Sequence, residues 1–525
     1  MCGRREVLMG MALAALGAEP SRLLAQAAKL GADAGGADPY PGGYVVKAPP
    51  LPAGTPVVVK VAQGRLRGVE AGGIRYFRGV PFAKPPVGPL RFRQPQPMQP
   101  WTGIRPALAN PPASLQPNVQ LEAPSQGEDC LYLNIWAPAA PGPHPVYVYI
   151  HGGGNSSGYS LEHRVNGASF AHDGIVCINI GYRLGVLGFL ELGALLGPDY
   201  RGSGNNGLRD QLAALAWVQA NAAAFGGDPA NVTIGGQSAG GYDVLSLVAS
   251  PRSRGLFHRA ISQSGSGHGI ATLADAEKQA GRFVGSLVGP GGQAAELRDM
   301  PAARIVAAQG DRIATGAMNG IVDGDVLLDH PYIAARKGEG RSVALLMGAN
   351  RDEMAVLGGG DLTRLSRPQQ AAFAQFAARN TALTHDEQVT RFVSAVQFNA
   401  PTEIYADNHA VAGGTAYVYE WTWGAPSGRF RGAAFHGIET PFAWDNPGAL
   451  AFRYVEPDPA LARRAGEVHR LWTSFIRSGR PASPHVAGWR PWTRADRAYL
   501  DIGADYTIRR ANGRDFAEWQ DLLDA

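Results

Sequence analysis

Residues 231–241 read NVTIGGQSAGG, and the position of Ser238 within them decides the fold. Val232, Thr233 and Ile234 have the pattern of a short buried strand, whereas the residues after Ser238 continue as an apolar helical pattern through Leu245, Leu247 and Val248. A chain that passes from strand to helix within one residue forces that residue into strained backbone. Gly236 and Gly240 omit side chains where strand and helix run closest. The hydroxyl then stands above a sheet at the head of a helix, which makes Ser238 a candidate nucleophile. A plain structural turn competes with this reading, because glycine-rich turns with serine are common in a chain of 69 glycines.

Working outward, residues 204–229 place Leu208, Leu212, Leu215, Val218, Ala222 and Phe225 at helical spacing, with Gly226 and Gly227 as the stop. This helix delivers the chain to the strand before Ser238. With the strand IVCINI at 175–180 it predicts a right-handed parallel crossover, the unit of a doubly wound α/β sheet. Further strands are expected at Ala260–Gln263, Val343–Met347, Ala416–Trp421 and Tyr499–Ile502, and helices at 360–412 and 471–481. The 360–412 stretch is expected to wall the site. VVVKVAQGRLRGVEAGGIRYFRGV, residues 57–80, predicts edge hairpins, and the proline-rich 79–97 an ordered surface coil.

With 45% hydrophobic and 18% charged residues over 525 positions, the composition is that of a globular chain with a large core. The formal charge of +4 is scattered, which argues against a nucleic-acid footprint. Arg4 and Arg5 precede an apolar run from Val7 to Ala18, and Ala25-Gln26-Ala27 offers a small-residue cleavage site. Residues 1–27 therefore read as an export signal, and the arginine pair resembles a twin-arginine type. An amphipathic first helix is the alternative. Residues 28–52 read as a flexible lead-in and 53–525 as a single domain. No stretch approaches the ~20 apolar residues of a stable membrane anchor. Once Cys2 leaves with the signal, Cys130 and Cys177 allow at most one disulfide.

Residues 128–136, EDCLYLNIW, form a strand pattern, and 146–154, VYVYIHGGG, run a strand into three glycines. Such glycines let backbone N–H groups converge on one point, as an oxyanion hole requires, although a flexible turn would share the composition.

Together with GNNGLRDQLAALAWV, AAFGGDP and GLFHRAISQSG at 255–265, these stretches resemble the type-B carboxylesterase family, the cholinesterase-like branch of the α/β-hydrolases, across nearly all of 55–510. The resemblance implies an α/β-hydrolase fold, and the signal at 1–27 an exported bacterial protein, periplasmic or secreted. The resemblance also implies a serine carboxylic-ester hydrolase that works on a small-molecule ester through an acyl-enzyme, with no metal or organic cofactor. Carried over residue by residue, the triad is Ser238, Glu353 and His436, the last from the HG-x-E of AAFHGIETPFAW. Asp352 stands beside Glu353 as a cap or surface charge. The oxyanion donors are the N–H groups of Gly153, Gly154 and Ala239, and Ala239 also follows from its place at a helix start. Arg91 and Glu128 match a structural ion pair of the family.

Departures from the family carry information too. Ser114 replaces a cysteine that often pairs with the one at Cys130, residues 110–127 contain no aromatic side chain, Gln237 replaces a glutamate, and Tyr242-Asp243 replace small residues. They predict a preference for neutral esters unless Asp243 faces the pocket. A catalytically silent adhesion member, an amidase or a lipase is the alternative function.

Overall fold

The computed structural model describes residues 46–47, 49–117, 121–122, 125–265, 270–309, 319–451 and 459–511. The expected export signal, and the lead-in apart from residues 46–47 and 49–52, lie outside the described residues. A 13-stranded sheet organises them. Its strands are β1 (Thr55–Val61), β2 (Gly64–Ala71), β3 (Ile74–Pro81), β4 (Ile104–Pro106), β5 (Tyr132–Pro138), β6 (His144–Ile150), β7 (Val176–Ile180), β8 (Gly227–Gln237), β9 (Arg259–Gln263), β10 (Ala344–Asn350), β11 (Ala416–Trp421), β12 (Ala498–Ile502) and β13 (Tyr506–Arg510). Their spatial order is β13-β12-β11-β10-β9-β8-β6-β7-β5-β3-β2-β1, with β4 beside β2. Every pairing from β7 through β6 and β8 to β12 is parallel, and β1, β2, β3, β5 and β13 extend the two edges antiparallel.

Burial follows this topology. The parallel centre is covered on both faces, so β7 is buried at every residue, while edge strand β1 exposes most of its length. Along β6, Val146, Val148 and Ile150 enter one core and Tyr147 and Tyr149 the other, the period-two alternation of a strand. The first core is closed by α1 (Asn206–Asn221), α2 (Ala239–Ala249) and α3 (Ala400–Val411). The second is closed by α4 (Pro459–Ser478), whose Leu461, Ala465, Val468, Leu471, Trp472, Phe475 and Ile476 form one buried stripe.

The expected central strands and the α1 crossover are in place, and Gly226 ends its last turn at φ 79°. Strand β13 was not anticipated. The 79–97 stretch departs from a surface coil: Phe82, Ala83, Arg91 and Phe92 are buried. Arg91 draws it inward, forking onto both Glu128 oxygens at 2.6 and 2.7 Å and reaching the carbonyls of Leu297, Arg298 and Met300.

Candidate active site

Strands β6, β8, β9 and β10 lie side by side and parallel in the middle of the sheet, so their C-terminal ends open on one edge, where ligands of open α/β sheets bind. Ser238 lies there between β8 and α2, at φ 58° and ψ −129°. A side chain in the left-handed half of backbone space costs about 1–3 kcal/mol and persists only when its surroundings impose it. Here they do. Ser238 N–H donates to Gln263 O at 2.8 Å, and Ser238 O accepts from Tyr242 N at 3.0 Å. A Cβ on Gly236 would lie 2.3 Å from Gly240 C, and one on Gly240 would lie 2.1 Å from Ile150 O. The two glycines are therefore a steric requirement of the turn.

The residues expected as acid and base meet across the loops after β10 and β11. Glu353 is fully buried, and its Oε2 stands 2.5 Å from His436 Nδ1 while Oε1 accepts from Asn350 N–H at 2.7 Å. An imidazole that donates from Nδ1 leaves the Nε2 lone pair free to accept a proton. Asp352 is not a surface charge; it stands at the N-cap position of the 3-10 turn Glu353–Ala355, but its side chain makes no capping bond there. It is buried, its Oδ2 accepting from Ala434 N–H and the Arg351 guanidinium and its Oδ1 from Arg391, so it clamps the loop that carries His436. Adjacent residues thus hold the imidazole and the backbone beneath it.

The glycine stretch after β6 folds against the same turn. A Cβ on Gly152 would stand 3.0 Å from the Ser238 Cβ, so this loop abuts the serine. Gly153, Gly154 and Asn155 follow at φ 112°, 63° and 53°. Ala239 occupies the first position of α2, where an N–H has no acceptor within its own helix. The groups expected as oxyanion donors therefore border the serine from two sides.

The site has further neighbours, of which Phe398, Asn350 and Glu439 were not singled out from sequence. Gln237 Nε2 lies 3.1 Å from His436 Nε2, so among the described residues the imidazole's second nitrogen is met by an amide rather than by the Ser238 hydroxyl. Phe398 sets its ring 5.3 Å from the imidazole, on the helical segment expected to wall the site. Asn350 donates its side-chain amide to Glu439 at 2.7 Å, so a second buried carboxylate is tied to the acid. Burial first, and then the Glu353 charge, push the Glu439 carboxyl above its ordinary range. The HG-x-E motif contains Glu439, but sequence gives no sign that it faces Asn350. Asp243 is fully buried and accepts from Asn155 at 3.0 Å and Gln211 at 2.6 Å, so it does not line an open pocket. Cys130 and Cys177 are both free and buried.

The sequence between these landmarks matches a model described as the carboxylesterase family over residues 55–372 and 361–519. The chain is 30% identical over 475 residues to the para-nitrobenzyl esterase of Bacillus subtilis, covering 86% of this chain and 96% of that protein. It is 32% identical over 540 residues to the liver carboxylesterase of Sus scrofa, covering 89% and 93%. Among solved structures, a PNB esterase superposes with a TM-score of 0.81 at 29% identity over 89% of this chain and 99% of the other. The Geobacillus stearothermophilus carboxylesterase EST55 at pH 6.2 gives 0.79 at 34% identity over 88% and 100%. With an α/β-hydrolase sheet and near full-length agreement in both sequence and structure, the chain belongs to the carboxylesterase family and is a serine-hydrolase-type carboxylesterase.

Proposed function

We propose that Ser238, His436 and Glu353 are the nucleophile, base and orienting acid of this ester hydrolase. The observation that carries the reading is the 2.5 Å Glu353–His436 contact beside a serine held at φ 58°. With Nδ1–H given to Glu353, Nε2 of His436 takes the Ser238 proton as Oγ attacks the ester carbonyl. Gln237 must release Nε2 for this step. The carbonyl oxygen becomes an oxyanion, which the N–H groups of Gly153, Gly154 and Ala239 receive. His436 then returns the proton to the departing alcohol. Water then attacks the acyl carbon as it gives a proton to the same nitrogen, the bond to Ser238 Oγ breaks to free the acid, and His436 returns that proton to Oγ.

The preferred substrate is a neutral ester. Gln237 brings an uncharged amide to the imidazole where a carboxylate would attract a cation, and both oxygens of Asp243 are taken up by amides away from the surface. We further assign residues 1–27 to a cleaved export signal, 28–52 to a lead-in and 53–525 to the catalytic domain, with a bacterial periplasmic or secreted destination. Among the described residues no helix is long and apolar enough to cross a membrane.

The test is Ser238→Ala, which should fold and lose about 10⁴-fold or more in kcat on p-nitrophenyl butyrate. Turnover near wild type in that variant would remove the assignment. Arg4-Arg5→Lys-Lys should hold the precursor in the cytoplasm, and unchanged export would reject the twin-arginine route.

A further inference from the structure

We propose that Asp243 is a positioning residue for the oxyanion loop, holding Asn155 and through it the Gly153–Gly154 backbone in register with Ser238. The proposal rests on the active-site assignment above. Three successive residues at positive φ, ending in a non-glycine, form no ladder with a neighbouring strand; Gly153 O accepts from Ser156 N–H and Ser157 N–H, and side chains supply the remaining support. Asn155 is the residue through which that happens. It is fully buried, its Nδ2 donates to Asp243 Oδ1 at 3.0 Å, and its backbone O accepts from Gly185 N–H at 2.6 Å. Its Oδ1 lies 3.0 Å from Tyr182 Oη, which also stands 2.9 Å from His151 O and can donate to one of them at a time. The Tyr182 ring stacks on His151 at 4.6 Å, so the loop is gripped at both ends of its glycine run.

Asp243 is suited to this place by having two acceptor oxygens and no proton to give when ionised. The facing groups, Asn155 Nδ2 and Gln211 Nε2, are both donors. Asp243 rides on α2, the helix that begins directly after Ser238. Nucleophile and oxyanion donors are therefore referenced to one rigid element, and Asp243 acts without touching substrate.

The experiment compares Asp243→Ala, Asp243→Asn, Asn155→Gly and the Asp243→Ala/Asn155→Gly double variant in the full chain, with active sites counted by stoichiometric organophosphate titration. Loss of the anchor should lower kcat on p-nitrophenyl butyrate by about 10- to 100-fold per titrated site, leave KM within about threefold, and weaken a trifluoromethyl ketone in parallel, because only the tetrahedral adduct uses the donors. Asn155→Gly, which keeps the left-handed backbone, should lose as much as Asp243→Ala, and the double variant no more than either. Asp243→Asn should stay within about threefold of wild type, since Gln211 Oε1, which has no hydrogen-bond partner among the described residues, can accept from the new amide once the Gln211 amide turns over.

A loss confined to KM, additive single effects, unchanged ketone affinity, or an Asp243→Asn as impaired as Asp243→Ala would each overturn the proposal. Ser238→Ala, run alongside, separates the two readings. An active Ser238→Ala removes the site assignment, whereas an inactive one beside an unimpaired Asp243→Ala removes only the anchor.

Discussion

Asp243 couples stability to pH in a way that one substitution isolates. Burial is the main cause that pushes its carboxyl from the ordinary 3.8 up to about 7, only partly offset by the Asn155 and Gln211 amides. The folded protein therefore keeps a proton that the unfolded chain has already released between these two values. The contribution to stability is full below pH 3.8 and is lost as pH rises through about 7. Between pH 5 and pH 8 the loss amounts to about 3 kcal/mol at 1.36 kcal/mol per unit. Asp243→Asn has no proton to hold, so the wild-type-minus-variant difference should fall by that amount over the interval. For a chain of 525 residues, an unfolding entropy of about 2.1 cal/mol/K per residue converts 1 kcal/mol to roughly 1 °C.

The expected result is a Tm difference, variant minus wild type, that is about 3 °C more positive at pH 8 than at pH 5. Differential scanning calorimetry at matched scan rate measures it, and the difference cancels groups that titrate equally in both proteins. The titratable side chains that sense Asp243 are Tyr182 and Tyr242. Burial first, and the Asp243 charge among the lesser causes, hold both well above 10, so neither enters the window. A Tm difference constant from pH 5 to pH 8, or one that shrinks toward pH 8, would refute the reasoning.

Glu353→Gln should leave the fold intact and lower kcat by ~10³- to 10⁴-fold with KM little changed, because the amide can present its N–H to His436 and select the wrong tautomer; steady-state kinetics on p-nitrophenyl butyrate measures it. Arg91→Ala should cost about 3–5 kcal/mol by leaving Glu128 and three carbonyls unpaired, while kcat per titrated site stays near wild type; denaturant midpoints read the first and site titration the second. The two thiols of the folded body should react with a maleimide only after unfolding, since both are buried and burial first pushes Cys130 up to about 12, and reductant should leave Tm unchanged. Butyrylthiocholine should be hydrolysed no faster than its uncharged 3,3-dimethylbutyl isostere; a tenfold or greater preference for the cation, abolished by Asp243→Asn, would place negative charge in the pocket after all.

The turn around Ser238 was legible in sequence because its constraint is local: a strand pattern, a helical pattern and two missing side chains lie within residues 231–248. The parallel centre was legible for a related reason, since strands covered on both faces must be apolar throughout. Strand β13 was not. Its residues, YTIRR, are partly exposed and charged at an edge, where pairing with β12 rather than burial defines the strand. The 79–97 coil was misplaced because proline density reports the absence of regular structure and says nothing of which side chains turn inward.

Sequence by itself determined which residue types were available: one strained serine, a histidine in an HG-x-E context, a carboxylate after a strand, and a glycine run that could offer N–H groups. Tertiary structure decided the directions in which they point. Asp352 and Glu353 are adjacent and chemically alike, yet one clamps the Ala434 backbone and the other meets the imidazole. Gln237 on His436 and Asp243 on Asn155 likewise join residues 199 and 88 positions apart. Such contacts leave no periodicity in the chain. They arise because the sheet brings the ends of separate strands to one edge, and hydrogen-bond geometry then selects, among neighbours of equal chemistry, the one that points the right way.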